Sequence, residues 1–227
     1  MILSGHQPAY LPGIIVFNKI ALSDRHMFVG HCDYQPKSWH SRNFIRGPNG
    51  PVMLTVPVVK GRSINDTVPS PDSHWRNKHL KAIEHAYSKR PYFNHYWLTL
   101  KALINFPAAN LSDFNIAIIH QIMDWLGITT ETYRSEDFNI TGHKTEMLVN
   151  MCKAMGADHY LSSPGETYVD RELMKHGYGY AHSFQKFEHP IYDQGAKFMP
   201  NLSVIDLLFN CGPDAGRIVR GCGRAES

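Results

Sequence analysis

The first 30 residues of the chain spell strand, helix, strand, and that order constrains the fold more than anything after it. Met1-Ile2-Leu3-Ser4-Gly5 is a short apolar run. Ile14, Ile15, Phe17, Ile20 and Ala21 recur at helical spacing, Asp24 closes that segment, and Met27-Phe28-Val29-Gly30 is a second run. A βαβ unit makes its two strands parallel through a right-handed crossover. Both strands then end on one sheet edge, where open α/β folds bind ligands. That edge receives His6 and Gln7 from the first strand, and His31, Cys32 and Asp33 from the second.

The rest of the chain elaborates this start. Residues 34–50 are polar and basic, with turn chemistry at Gly47-Pro48-Asn49-Gly50. Residues 53–58 read as a strand able to form a hairpin with 43–45, and 60–73 as a loop. Helical patterns cover about 74–88, 92–105, 111–126 and 144–155. Ser112 or Asp113 is available to cap the third at its start, and Gly127 at its end. The stripe Met147, Leu148, Met151, Cys152 and Met155 suits core packing.

Residues 159–162 form a short strand before a Ser-Pro-Gly-Glu loop. A short helix over 170–175, a strand over 178–184 and a helix opened at Ser203 by a capping-box variant follow. The Gly- and Arg-rich tail from Arg217 reads as frayed. The expected architecture is one α/β domain over 1–227. Its mostly parallel sheet begins with the βαβ unit, and a helical insertion occupies about 74–156.

Composition narrows the class. Apolar residues make up 43% and charged residues 19%, as in an ordinary soluble globular protein. No apolar run approaches the roughly 18 residues of a membrane span. The four cysteines are scattered without CxxC spacing, so neither a zinc site nor a disulfide framework is indicated, and a reducing cytoplasm is the expected compartment. A formal charge of +3 permits an anionic partner without requiring one.

Four groups could carry chemistry. At the strand edge, His6 can move a proton, Gln7 can donate and accept, and Asp33, with Gln35 close behind, can serve as general base or metal ligand. Lys37, Trp39, Arg42 and Asn43, with Arg46, Lys60 and Arg62, interleave cations with an aromatic. That pattern suits a phosphate or a nucleic-acid backbone with a stacking side chain, and equally a solvated loop. Trp75 and His79 share one helix face. The small-residue loop 162–168 could meet phosphate through its amides, but it lacks the Gly-Lys-Ser/Thr end of a P-loop. No HExxH, GxSxG or GxGxxG occurs.

The chain resembles the WbqC-like family. The matching residues are His6-Gln7-Pro8 with Tyr10-Leu11-Pro12; Asp33, Gln35 and Lys37; Arg42-Asn43 with Ile45; Leu54 to Val58; Trp75 with His79; Tyr160-Leu161-Ser162; and Asn201 to Asn210. Two departures stand out. Cys32 occupies a place where members often carry a second Asp, and Ser163 one where Gly is common.

The resemblance implies a transferase that attaches a small, glycine-like amino acid through its amine to a phosphate- or pyrophosphate-activated acceptor. That acceptor is a hypermodified base in phage DNA or a nucleotide-linked sugar of a surface-polysaccharide (O-antigen) pathway. His6, Asp33 and Gln35 are the expected catalytic set. Gln7, Tyr10, Lys37, Trp39, Arg42, Asn43 and His79 are the expected substrate contacts. No cofactor and no resident metal site is expected, and a divalent ion with the substrate stays open. A nucleotidyltransferase-like enzyme and a non-catalytic nucleotide- or nucleic-acid-binding module are the alternatives.

Overall fold

The structure, a computed structural model, describes residues 1–166, 168–195 and 197–226. Thr167 of the 162–168 loop and Ser227 of the tail therefore lie outside the described residues.

In chain order, β1 (Ile2–His6), α1 (Ile14–Ala21) and β2 (Arg25–Phe28) make the N-terminal unit. A hairpin of β3 (Arg42–Arg46) and β4 (Pro51–Thr55) follows, then a two-residue pair, β5 (Val58–Val59) with β6 (Val68–Pro69). Next come α2 (His74–Tyr87), α3 (Phe93–Asn105), α4 (Leu111–Leu126), β7 (Glu131–Arg134) and α5 (Lys144–Met155). The chain closes with β8 (His159–Ser162), a π-helical turn at Leu173–Gly177, β9 (Ala181–Phe187), α6 (Val204–Cys211), α7 (Ala215–Gly221) and β10 (Gly223–Glu226).

The main sheet has six strands in the order β10-β9-β8-β1-β2-β7. All pairs are parallel except β10 with β9. The βαβ start is as the sequence predicts: Leu3 pairs with Arg25 and His6 with Phe28.

Alternation along the strands feeds two cores, one on each face of the sheet. Leu3, Met27 and Tyr160 pack under α5 against Leu148, Met151, Cys152 and Met155. The methionine stripe is thus core. Phe28 points to the other face, into the larger core of α1, α2, α3, α4, α6 and α7. Each fully buried Leu or Phe there contributes about 2 kcal/mol of transfer free energy. No helix of the described residues is long and apolar enough to cross a membrane.

Several local expectations need correction. α4 is capped by Asn110, whose side chain accepts from the Asp113 amide at 2.8 Å, and not by Ser112 or Asp113. Asp113 instead pairs with Arg134. Ser203 does cap α6, but Asp206 does not reciprocate. Its buried carboxylate takes hydrogen bonds from Tyr192 and Gln194, both at 2.8 Å. Strand β9 starts later than predicted, at Ala181, because the π-helical turn runs to Gly177.

As far as Glu226 the tail is not frayed. Val219 and Cys222 are buried, Asn18 donates to the Val219 carbonyl at 2.8 Å, and β10 closes the sheet edge. Glycines and arginines at the tail mask this apolar spacing. Strand β7 was not predicted. Its four residues are too short to show alternation, and only pairing with β2 makes them a strand.

Candidate functional site

The sheet order decides where a ligand crevice opens. After β1 the chain passes to α1 on the face of the larger core. After β8 it passes to the opposite face, where Val169 and Met174 join the α5-side core. Adjacent parallel strands whose connections leave on opposite faces open a crevice at their carboxyl ends. The crevice therefore lies between β1 and β8.

His6 is the last residue of β1 and stands at that crevice. Its Nδ1 lies 2.6 Å from the Gln7 carbonyl oxygen. A carbonyl only accepts, so Nδ1 carries the proton and Nε2 keeps the lone pair. Burial, reinforced by the cation of Lys19, pushes the His6 pKa down to about 4, against the opposing Gln7 hydrogen bond. The ring is neutral at pH 7.

Lys19 is the buried charge behind this site. It is 1% exposed, on the face of α1 that meets β1 and the 162–166 loop. Its ammonium donates to the Gly5 carbonyl at 2.8 Å and to Ser163 Oγ at 2.6 Å, and lies 3.8 Å from Glu166. Burial works against the Glu166 carboxylate, but Lys19 and hydrogen bonds from Ser163 and Ser162 outweigh it, holding its pKa below the ordinary value. Tyr168 also donates to Glu166, at 3.1 Å. Ser162, directly before, shares a hydrogen bond of 2.9 Å with His182 Nε2.

Two clefts meet at His6. The first, about 660 Å³, is lined by His6, Asn43, Trp39, Phe44, Ser163, Phe187, His189 and Asn201, with the first turn of α1 at its base. Gly13 caps that turn without a side chain, and no acidic residue stands in it, so the positive end of the helix dipole is open to a ligand. The second cleft, also about 660 Å³, lies on the α5 side, with Gln7, Cys32, Lys144, Tyr160 and Glu166 among its walls.

The structure divides the expected site residues. His6, Gln7, Trp39 and Asn43 come together at the two clefts. Gln7 Oε1 accepts from His40 Nε2 at 2.7 Å, which fixes the Gln7 side chain. Asn43 spends its amide N–H on the Leu11 carbonyl at 2.6 Å, holding the Pro-rich turn. Trp39 is 54% exposed and edge-on to Phe44.

Asp33, Gln35, Lys37 and Arg42 line neither cleft. The Gly30 and Cys32 carbonyls are bound to the amides of Asn65 and Ile64, and Asp33 bridges to Ser63, so the chain after β2 runs along the 62–65 loop. Asp33, Gln35 and Lys37 are exposed there. Tyr10 and His79 are buried partners. His79 Nε2 donates to the Thr55 carbonyl at 3.1 Å, so its Nδ1 accepts from the Tyr10 hydroxyl at 2.9 Å. The Tyr10 ring stacks on Phe114, which leaves it no face for a ligand.

Lys19, His40, His189 and Asn201 are not among the site residues expected from the sequence, and the 162–168 loop enters there only for its backbone amides. The available signal was Lys19 itself, the one charged residue of the helix Ile14–Ala21. Among the described residues, no group of three or more His, Cys, Asp or Glu converges to hold a metal ion.

The profile described as the WbqC-like protein family matches residues 7–218. The uncharacterized protein Rv1507c of Mycobacterium tuberculosis (strain ATCC 25618 / H37Rv) is 32% identical over 224 residues. The match covers 95% of this chain and 96% of that protein.

Proposed function

The chain belongs to the WbqC-like protein family, and we propose that it is a transferase. It joins an amino acid, through its amine, to an acceptor activated by phosphate or pyrophosphate. The acceptor is a modified DNA base or a nucleotide-linked sugar. One observation carries this reading: a neutral histidine, His6, with its Nδ1 proton committed to Gln7 and its Nε2 lone pair free, on the wall shared by two clefts.

The chemistry follows from that placement. The neutral amine attacks the acceptor carbon that bears the phosphate. A C–N bond forms, the C–O bond breaks, and the phosphate leaves with the bonding pair. The surplus proton of the amine passes to His6 Nε2. Negative charge develops on the leaving group, and the open N-terminus of α1 offers it a positive potential. The phosphate also offsets the Lys19 cation, and so raises the His6 pKa toward the working pH. Trp39 and Phe44 offer aromatic surface to a base of the acceptor.

The test is a mass-shift assay with an amino acid and candidate activated acceptors, using wild-type protein and His6→Gln. Loss of general-base assistance lowers turnover by about 10²–10⁴-fold. Undiminished turnover in His6→Gln overturns the reading. Salt then separates the acceptors, because binding to DNA weakens steeply with added salt while binding to a nucleotide-sugar does not.

A further inference from the structure

The second cleft has a chemistry of its own. Its walls include Glu166 on one side and Lys144 on another, with Val29, Met147, Leu148 and Met151 between them. Lys144 is exposed, and among the described residues its ammonium makes no hydrogen bond or ion pair. Glu166 is 17% exposed and keeps Lys19 behind it. A simple anion in this cleft would face Glu166, and a simple cation would face Lys144 with Lys19 close behind. A zwitterion satisfies both ends.

The backbone makes room for it. Gly5 borders the cleft. A Cβ added there would meet Met151 Cε at 2.5 Å and Tyr160 Oη at 2.9 Å. Glycine at this point of β1 thus lets the methionine and tyrosine close the floor without filling the chamber. Leu148 and Met151 belong to the core behind it, and the partly exposed Met147 offers an adaptable apolar surface, which a ligand without a side chain would leave unused.

We propose that this cleft is the amine-donor subsite and binds an α-amino acid with an apolar side chain. The carboxylate sits at Lys144, the amino group lies between Glu166 and His6, and the side chain packs on Met147, the partly exposed residue of the apolar wall. Its role as donor subsite rests on the transferase reading; its binding chemistry does not. With the acceptor in the first cleft, both substrates reach His6 from opposite sides.

The experiment is titration calorimetry on the full chain, with leucine, glycine and leucinamide as the probes. Leucine binds at least about tenfold more tightly than glycine, since its side chain buries apolar surface. Leucinamide, which lacks the carboxylate charge, binds about tenfold more weakly than leucine. Lys144→Ala weakens leucine by about the same factor and leaves leucinamide unchanged. Thermal melting of the variant controls for folding. Equal affinity for leucine and glycine, or full leucine affinity in Lys144→Ala, overturns the proposal. Leucine binding with no transfer to any acceptor supports the subsite and removes the transferase reading. Transfer of leucine with no binding to this cleft does the reverse.

Discussion

Lys19 on α1 donates to Ser163 Oγ at 2.6 Å, and so ties the helix after β1 to the loop after β8. The two connections leave on opposite faces of the sheet, and this buried ammonium holds the crevice between them. Removing it leaves the Glu166 carboxylate, which is largely buried, without its cation.

Lys19→Met is therefore expected to destabilise the protein by about 3 kcal/mol in urea unfolding, because the surviving carboxylate loses its partner. The same change raises the His6 pKa, since the Lys19 cation is one of the causes of its depression. A stability change within about 0.5 kcal/mol, as at an ordinary surface site, would contradict this role.

Acid should unfold the protein before its carboxylates titrate. His40, His79 and His182 are buried, and burial pushes each pKa down to about 4. Unfolded, each takes a proton near pH 6.5. Between those values the unfolded state holds more protons, so stability is full above about pH 6.5 and falls as pH drops toward 4. Each histidine accounts for roughly 3 kcal/mol over that window. Three together match the whole stability of a typical domain, about 5–15 kcal/mol. Near-ultraviolet circular dichroism should collapse cooperatively within this range, and a native signal persisting at about pH 4 would refute the assignment.

Tyr10→Phe separates structure from binding. It deprives His79 Nδ1 of its donor inside the core, at a cost of about 1–2 kcal/mol. Ligand affinity should not move, because neither Tyr10 nor His79 lines either of the two clefts at His6. A fall in ligand affinity with stability intact would restore both residues to the site.

Residues 1–30 are legible in the sequence because local spacing alone decides them. Strand, helix and strand follow one another without a long-range choice, and they bring His6 to the right edge. Which strand lies on the far side of β1 is a long-range choice. Its partner there is β8, more than 150 residues away, through pairs such as Ile2 with His159. Without that pairing, Asp33 looks like the natural companion of His6, whereas Ser163 and Glu166 fill the place. Tyr10 and His79 mislead for a related reason. A polar pair that satisfies itself in the core has the same residue types as one that meets a ligand, and only burial tells them apart.

The central claim is that His6 stands neutral at the β1/β8 crevice, its Nδ1 protonated and its Nε2 open to accept a proton. Nitrogen-15 NMR of the imidazoles over a pH series tests it directly, with His6→Gln to assign the signals. The account predicts the Nδ1–H tautomer at neutral pH and a His6 ring that stays neutral in the folded protein down to the onset of acid unfolding. An Nε2–H tautomer, or protonation of His6 at the ordinary value of about 6.5 while the protein is still folded, would contradict it.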